Sequence, residues 1–250
     1  LSLGNMTRLD SITAVPIDKI RDLANSLAGK FIDLRWAMFT LPAEYDRNLL
    51  SKMYSLSEWN RTFKRCPRCA SFLSRCAAKT SAACGYCQSV FYPPISPAII
   101  CLVTNRENSH ALLVHLPRSP NTVYTLIAGY VQNGESLVEA VRREVGEEAG
   151  VDCDEIVQLN MSQSWPIQNN SIMCAFRAVA DPKQKLDICK NELLAANWFS
   201  REEVQWAFDN TTRNLNHINE SIPPKFQFIY VPPYGALSNR MIKHWLGEKP

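Results

Sequence analysis

No apolar run in this chain approaches the ~18 residues that a membrane span needs, so no membrane is expected among its partners. The opening residues, Leu1 to Asp10, lack the long apolar core of a secretory signal. They also lack an initiator Met, which reads as a fragment or a processed form. The terminal Gly-Glu-Lys-Pro is not a peroxisomal tripeptide of the Ser-Lys-Leu type. There is no internal repeat and no low-complexity segment. Charge of one sign is scarce too: 27 Lys and Arg face 24 Asp and Glu, and a net +3 is too small to argue for nucleic-acid or membrane binding by itself. What remains is 250 residues, 46% hydrophobic and 20% charged, enough for one large domain or two modest ones with a sizeable core.

The cysteines speak through their spacing. Cys66-Pro-Arg-Cys69 and Cys84-Gly-Tyr-Cys87 form two CxxC knuckles separated by 14 residues. Four thiolates at the tips of two turns can make the closed tetrahedral shell of one structural Zn²⁺ per chain, with no His or Glu beside them to leave a position open. Two disulfides or a redox CxxC are the competing readings. The odd total of nine cysteines without a signal peptide argues against a secreted disulfide framework, and the second knuckle argues against a thioredoxin-like site. Cys76 reads as a bystander in the loop. Cys101, Cys153, Cys174 and Cys189 read as buried thiols, and the whole usage suits an intracellular, reducing compartment, cytoplasm or peroxisome.

The densest chemistry lies at 129–151, Gly-Tyr-Val-Gln-Asn-Gly-Glu-Ser-Leu-Val-Glu-Ala-Val-Arg-Arg-Glu-Val-Gly-Glu-Glu-Ala-Gly-Val. Its spacing predicts a helix after Gly134 with Leu137, Val138, Val141, Val145 and Ala149 as the inward stripe. Glu144 and Glu148, four apart, project from one face, and Glu147 sits beside them. Like charges stacked on a helix face repel unless something positive lies among them, and hard divalent cations with oxygen ligands supply that. Such a metal can polarise a phosphoryl group and lower the pKa of an attacking water. Arg143 can clamp a neighbouring carboxylate with its planar fork. Gly129 and Gly134 suit a tight loop before the helix and Gly150 its C-terminal turn. A merely solvated acidic helix would not need those glycines or Arg143.

Along the chain, the patterns predict a helix over 16–29 from Pro16, an apolar strand over 31–41, and a helix carrying Leu49, Leu50, Met53, Leu56, Trp59 and Phe63 into the first knuckle. Pro93, Pro94 and Pro97 make a stiff joint. Strands are expected at 98–104, 110–116, 122–128, 155–162, 171–179 and 195–199, with a short helix from Glu202 and a last one from Leu237 to Leu246. A mixed sheet with helices on its faces describes an α/β/α sandwich. The expected organisation is α+β: an N-terminal α/β domain over 1–63, a zinc ribbon over 64–92 and a catalytic domain over 93–250.

Gly129, Glu135, Arg143, Glu144, Val145, Glu147, Glu148, Gly150 and Val151 fit every constrained position of the Nudix box, which implies a Mg²⁺- or Mn²⁺-dependent hydrolase of nucleoside-linked diphosphates. The four-cysteine ribbon directly upstream resembles the layout of the NADH pyrophosphatase family. So does Ser162-Gln163-Ser164-Trp165-Pro166-Ile167-Gln168-Asn169-Asn170-Ser171, which stands where that family carries Ser-Gln-Pro-Trp-Pro-Phe-Pro-x-Ser. Tyr92-Pro93, Glu192 ahead of Trp198-Phe199, and the region from Pro232 to Ser238 are further landmarks of the likeness, which covers nearly the whole chain and is weakest in its first sixty residues. The resemblance implies that Glu144, Glu148 and Glu192 hold the metals with the carbonyl of Ala128, and that Glu147 or Glu148 handles the water. It implies that Tyr92, Gln163 to Ser171 and Ser238 line a dinucleotide pocket; Tyr92, Tyr130 and Trp165 offer flat faces to a nicotinamide or adenine ring. A core position for Trp165 and a surface one for Glu192 are the plainer readings. Ser164, Ile167 and Gln168 replace two prolines and an aromatic of the pattern, and Asn169-Asn170 lengthens it by one, so the loop is less pre-organised. The implied activity is cleavage of NAD(H) to NMN(H) and AMP, with removal of NAD caps from RNA 5′ ends as the same bond in a larger substrate, by a homodimer. The rivals are ADP-ribose, FAD or diadenosine polyphosphates as substrate, or an inactive zinc-ribbon nucleotide-binding module; the intact box argues against the last.

Overall fold

The computed structural model describes residues 17–119, 123–213, 228 and 230–247, and falls into two compact units. The first comprises the chain up to Ile95 together with Ser164–Asn170; the second comprises Ser96–Gln163 and the chain from Ser171 onward.

In the first unit the described residues before the knuckles are helical: α1 (Ile17–Ser26), α2 (Leu34–Thr40) and α3 (Glu44–Thr62). The predicted helix over 16–29 is thus shorter than expected, and Pro16 lies outside the described residues. The expected strand over 31–41 is α2 instead, which corrects the α/β expectation for this part of the chain: no strand occurs among the described residues before the ribbon. Asp33 decides the matter locally, its carboxylate accepting the N–H groups of Arg35 (2.9 Å) and Trp36 (3.3 Å) as an N-cap. A short apolar run fits either period, and Ala37 and Met38 bury their side chains from a helix as well as they would from a strand. The ribbon follows as an antiparallel sheet, β1 (Leu73–Arg75), β2 (Ala82–Cys84) and β3 (Val90–Phe91) in that order.

The second unit is built on β4 (Ser96–Thr104). It pairs in parallel with β8 (Ser171–Val179) over nine positions. On its other side the antiparallel partner changes, from β6 (Ile127–Tyr130) along Ala98–Cys101 to β5 (His110–His115) at Val103 and Thr104. The predicted strand over 122–128 is split by this exchange, and Thr122 lies outside the described residues. Thr125 trades backbone bonds with Val114 before the chain crosses to pair with β4 from Ile127 onward. β7 (Asp154–Trp165) flanks β8 and β9 (Ala195–Ser200) flanks β5, completing a mixed sheet of six strands.

Alternation along β4 feeds two cores. Ile99, Cys101 and Val103 face the helix α4 (Leu137–Ala149) through Ala140, Val141, Val145 and Ala149. Ile100 and Leu102 face the opposite layer, α5 (Arg201–Arg213) and α6 (Leu237–Gly247), through Val204, Ala207, Met241, Ile242 and Trp245. The sandwich is therefore present as expected. Its stripe on α4 differs at one position: Ala140 points inward, while Val138 is exposed. Full burial of Val141 or Val145 is worth about 1.5–3 kcal/mol each, which seats the helix and fixes the direction of its polar face.

Candidate active site

Helix α4 opens on a device that the spacing offers and the motif does not require. Ser136-Leu-Val-Glu139 is a capping box: the Ser136 hydroxyl accepts the Glu139 N–H (3.3 Å), and the Glu139 carboxylate accepts the Ser136 N–H (2.7 Å). It closes on Gly150 in the left-handed region, with φ 71°, where a Cβ would come within 2.8 Å of Asp187. Gly134, at φ 91°, forms the turn ahead of the cap. The two ends fix the register in which the carboxylates point.

Glu144 and Glu148 are both buried on that register, while Glu147 turns outward with its side chain 58% exposed. Glu144 lies directly against Gly129 on β6: a Cβ added there would stand 2.0 Å from the Glu144 carboxylate. Gly129 is therefore a cradle, and no other residue leaves the room. Arg143 ties the group together. Its Nη1 donates to Glu144 (2.8 Å) and Glu147 (3.0 Å), its Nε and Nη2 donate to the two carboxylate oxygens of Glu135 (3.0 and 2.6 Å), and Nη2 also donates to the Tyr130 carbonyl (2.8 Å). Glu135 in turn accepts the Gln132 N–H at 2.6 Å, so one guanidinium links helix, loop and strand end. That hydrogen bond to Arg143 holds the Glu135 carboxyl below the usual carboxylate range.

Glu148 is the unsettled member. Its Oε2 is buried with no hydrogen-bond partner. Burial first, then the charges of Glu144, Glu192 and Glu147, push its pKa up to about 8, and burial likewise raises Glu144. A buried carboxylate oxygen without a donor is costly unless something positive meets it, so the donor set fits a hard divalent cation. Glu192 is exposed, sensed electrostatically by Glu144 and Glu148, and its N–H is held by the Cys189 carbonyl at 2.9 Å. Ala128 is half-buried on β6 opposite Ile100.

The other expected site residues divide between the units. In the second, the Gln163 side chain is engaged at both ends, donating to the Gly235 carbonyl (2.7 Å) and accepting the Leu237 N–H (2.8 Å). Ser171 and Ser238 are buried, and Tyr130 is exposed at the end of its strand. In the first, Trp165 packs near Phe39, whose ring centroid is 5.6 Å away, and near the Arg35 guanidinium, also at 5.6 Å. Ser164 shares a 2.6 Å hydrogen bond with Ser51. Pro166 is buried, Ile167 is half-buried and Gln168 exposed, and Tyr92 is 71% exposed. Asn169 and Asn170 both take left-handed conformations, at φ 49° and 47°, and Asn170 donates to the Pro94 carbonyl (2.7 Å). Asn accepts that region more readily than other non-glycine residues, so the added residue is absorbed in the turn.

The four knuckle cysteines come together, their sulfurs all within 4.8 Å of one another. Cys66 and Cys87 stand 3.5 Å apart, as do Cys69 and Cys84. Those separations exclude disulfides and approach the ~3.8 Å edge of a tetrahedron with 2.3 Å metal–sulfur bonds. Each knuckle closes in the same way: the N–H of the first cysteine donates to the carbonyl of Ser71 or Ser89, and Ala70 or Gln88 takes positive φ. Hydrogen bonding with Ser89 lowers the Cys87 pKa to about 6, and hydrogen bonding with Ser71 lowers that of Cys69. Among the described residues this is the one group of His, Cys, Asp or Glu ligand atoms packed so closely.

A mixed sheet between helical layers, with an acidic helix cradled by a strand glycine, defines a Nudix domain, and the NUDIX domain model matches residues 94–219. The chain belongs to the Nudix family, in its branch of NADH pyrophosphatases and NAD-capped RNA hydrolases. It is 41% identical over 239 residues to the protein named NAD-capped RNA hydrolase ndx-9 of Caenorhabditis elegans, covering 94% of this chain and 64% of that protein. It is 32% identical over 229 residues to the protein named NAD(P)H pyrophosphatase NUDT13, mitochondrial, of Homo sapiens, covering 91% and 62%. The chain thus spans a little under two thirds of the length of these two relatives. A crystal structure of a NUDIX hydrolase from Nitrosomonas europaea aligns at 22% identity with a TM-score of 0.46, over 67% of this chain and 97% of that one. No described helix is long and apolar enough to cross a membrane.

Proposed function

We propose that the chain hydrolyses the diphosphate of NAD(H) to NMN(H) and AMP, both in the free dinucleotide and as the 5′ cap of RNA. The observation that carries this reading is the buried Glu148 with its unpartnered oxygen beside Glu144, on a helix that Gly129 and Arg143 hold in one register. Glu144, Glu148 and Glu192, with the Ala128 carbonyl, would hold Mg²⁺ or Mn²⁺. When bound, the cation neutralises charge on the diphosphate and acidifies a water. Glu147 or Glu148 would take the proton of the attacking water as its oxygen bonds to phosphorus and the bridging P–O bond breaks, the bridging oxygen leaving on the phosphate of the other mononucleotide. Arg143, engaged by three carboxylates and the Tyr130 carbonyl, keeps Glu144 and Glu147 in place. Trp165, Tyr92 and Tyr130 supply ring faces for the bases. The four cysteines hold one Zn²⁺ that serves structure, and a homodimer in a reducing compartment completes the proposal. The deciding test is a panel of NADH, NAD⁺, NAD-capped RNA, ADP-ribose, FAD and a diadenosine polyphosphate with Mg²⁺ or Mn²⁺, followed by release of NMN and AMP. Turnover of ADP-ribose or FAD in preference to NAD(H) and capped RNA would overturn the assignment.

Two variants probe its parts. Gly129→Ala places a methyl where the Glu144 carboxylate now lies. The carboxylate must shift by an ångström or more, so kcat for NADH is expected to fall about 10²-fold, with the circular dichroism spectrum unchanged. Unaltered kinetics would show that the cradle is not needed. Trp165→Ala should lower kcat/KM for NADH by roughly 5- to 150-fold, the range of a lost base–aromatic stack, without altering metal dependence. Because Trp165 also packs on Phe39, thermal stability is measured alongside. A variant as efficient as the parent removes Trp165 from the ring-binding set.

A further inference from the structure

We infer that the outward face of the ribbon sheet is a stacking surface for single-stranded RNA. The register pairs Leu73 with Cys84, Ser74 with Ala83, and Ala83 with Val90. Alternation therefore places Leu73, Arg75, Ala82, Cys84 and Phe91 on the side of the metal-binding sulfurs, where they are buried or half-buried. The other side presents Phe72, Ser74, Ala83 and Val90, with Tyr92 next along the chain, and every one of them is exposed. Phe72 is 69% and Val90 53% accessible. Large apolar side chains flanking small ones, left open to water on one sheet face, mark a contact surface.

Charge selects the partner. Residues 59–106 contain no Asp or Glu at all. Lys64, Arg65, Arg68 and Lys79 are exposed within that span. Even with a Zn²⁺ bound by four thiolates, which carries −2, the ribbon stays positive. Arg65 lies over the Phe72 ring, its guanidinium carbon 4.0 Å from the centroid, and its Nη1 donates to the Ala70 carbonyl at 3.0 Å. A cation is thus fixed at the edge of an aromatic platform. Rings that stack bases beside cations that meet phosphates are what single strands are held by. A second copy of this chain fits less well, since it would bring the same positive face against itself. The assignment of this strand to an RNA carrying an NAD cap rests on the function proposed above; the binding itself does not.

The test measures fluorescence anisotropy of a short, uncapped, 3′-labelled single-stranded RNA with the whole zinc-loaded chain. Phe72→Ala is expected to weaken binding about 5-fold or more, the effect of removing one stacking ring. Arg65→Gln with Arg68→Gln should flatten the dependence of affinity on salt. NADH hydrolysis should be unchanged by these variants, while kcat/KM for NAD-capped RNA falls in step with RNA affinity. Because Phe72 is exposed, its variant retains the fold, which near-ultraviolet circular dichroism verifies. Absence of RNA binding by the parent, or a Phe72→Ala affinity within about twofold of it, overturns the proposal. So does a Phe72→Ala chain that sediments as a smaller species with RNA affinity intact, which would make the face an interface between copies. Failure of the parent to cleave NADH would sink the proposed function and leave the anisotropy result to stand by itself.

Discussion

Glu148→Gln is expected to reduce NADH turnover by about 10²–10⁵ and, without metal, to make the protein more stable at pH 8. The two effects share a cause. Burial and three neighbouring carboxylates raise the Glu148 pKa to about 8. A carboxyl whose folded pKa lies above its unfolded one stabilises the fold fully below the unfolded value, and that contribution is lost as pH rises through the folded value. In EDTA the parent should therefore lose stability between about pH 4.5 and 8 relative to the variant, by at most roughly 4–5 kcal/mol. Gln has the same shape and no charge, so the penalty disappears with it. Added Mg²⁺ or Mn²⁺ should stabilise the parent and not the variant. Thermal melts across pH, with and without EDTA, read the first effect, and steady-state kinetics read the second. A variant within about threefold of the parent at saturating metal would exclude Glu148 from the chemistry.

Cys84→Ala should abolish zinc binding and unfold the ribbon while leaving the Nudix unit folded. Cys84 is 1% exposed and supplies one of four sulfurs that all lie within 4.8 Å of one another, a set that no other His, Cys, Asp or Glu among the described residues joins. Metal binding and folding are one process in such small sites, worth about 10–16 kcal/mol in isolated zinc-binding peptides at pH 7. That is far more than the loss of one buried side chain. The second unit has two cores of its own, neither of which contains a knuckle cysteine. Limited proteolysis should then cut within 64–92 and spare the sheet. Cys76→Ala is the control: Cys76 is exposed, its sulfur beside the Thr80 hydroxyl (3.7 Å) and outside the four-sulfur group, and its loss should leave one zinc per chain. Elemental analysis of freshly purified parent that finds no zinc would refute the assignment.

The acidic helix was legible because its constraints are local: carboxylate spacing, capping and closing glycine all lie within one stretch. The strand at 98–104 was legible because a continuous apolar run buried on both faces leaves few alternatives. The segment 31–41 was not, since seven apolar-rich residues satisfy both periods and only the side chain of Asp33 tips the balance. Val138 and Ala140 were exchanged because a helix period read without its neighbours cannot tell which flank of a stripe meets the sheet. The break at 122–128 reflects a change of strand partner, a long-range event with no local signature. At the site, the sequence could nominate Gly129, but only the approach of Glu144 reveals what its missing side chain makes room for. The role of Glu135 as the second anchor of Arg143 is equally a matter of three dimensions.

The two-sided wiring of β4 bears on how the protein breathes. Its amides are bonded toward β8 on one edge and toward β6 and β5 on the other, and its side chains are locked into both cores. Releasing them to solvent demands separation of both helical layers at once, which amounts to opening the whole unit. Deuterium uptake at Ile99–Val103 should accordingly be the slowest in the chain and track global unfolding, while the edge strand β7 exchanges through smaller fluctuations. Isotope exchange followed peptide by peptide would thus give an internal gauge of the free energy of the Nudix unit, readable without denaturant and independent of whether the enzyme is turning over.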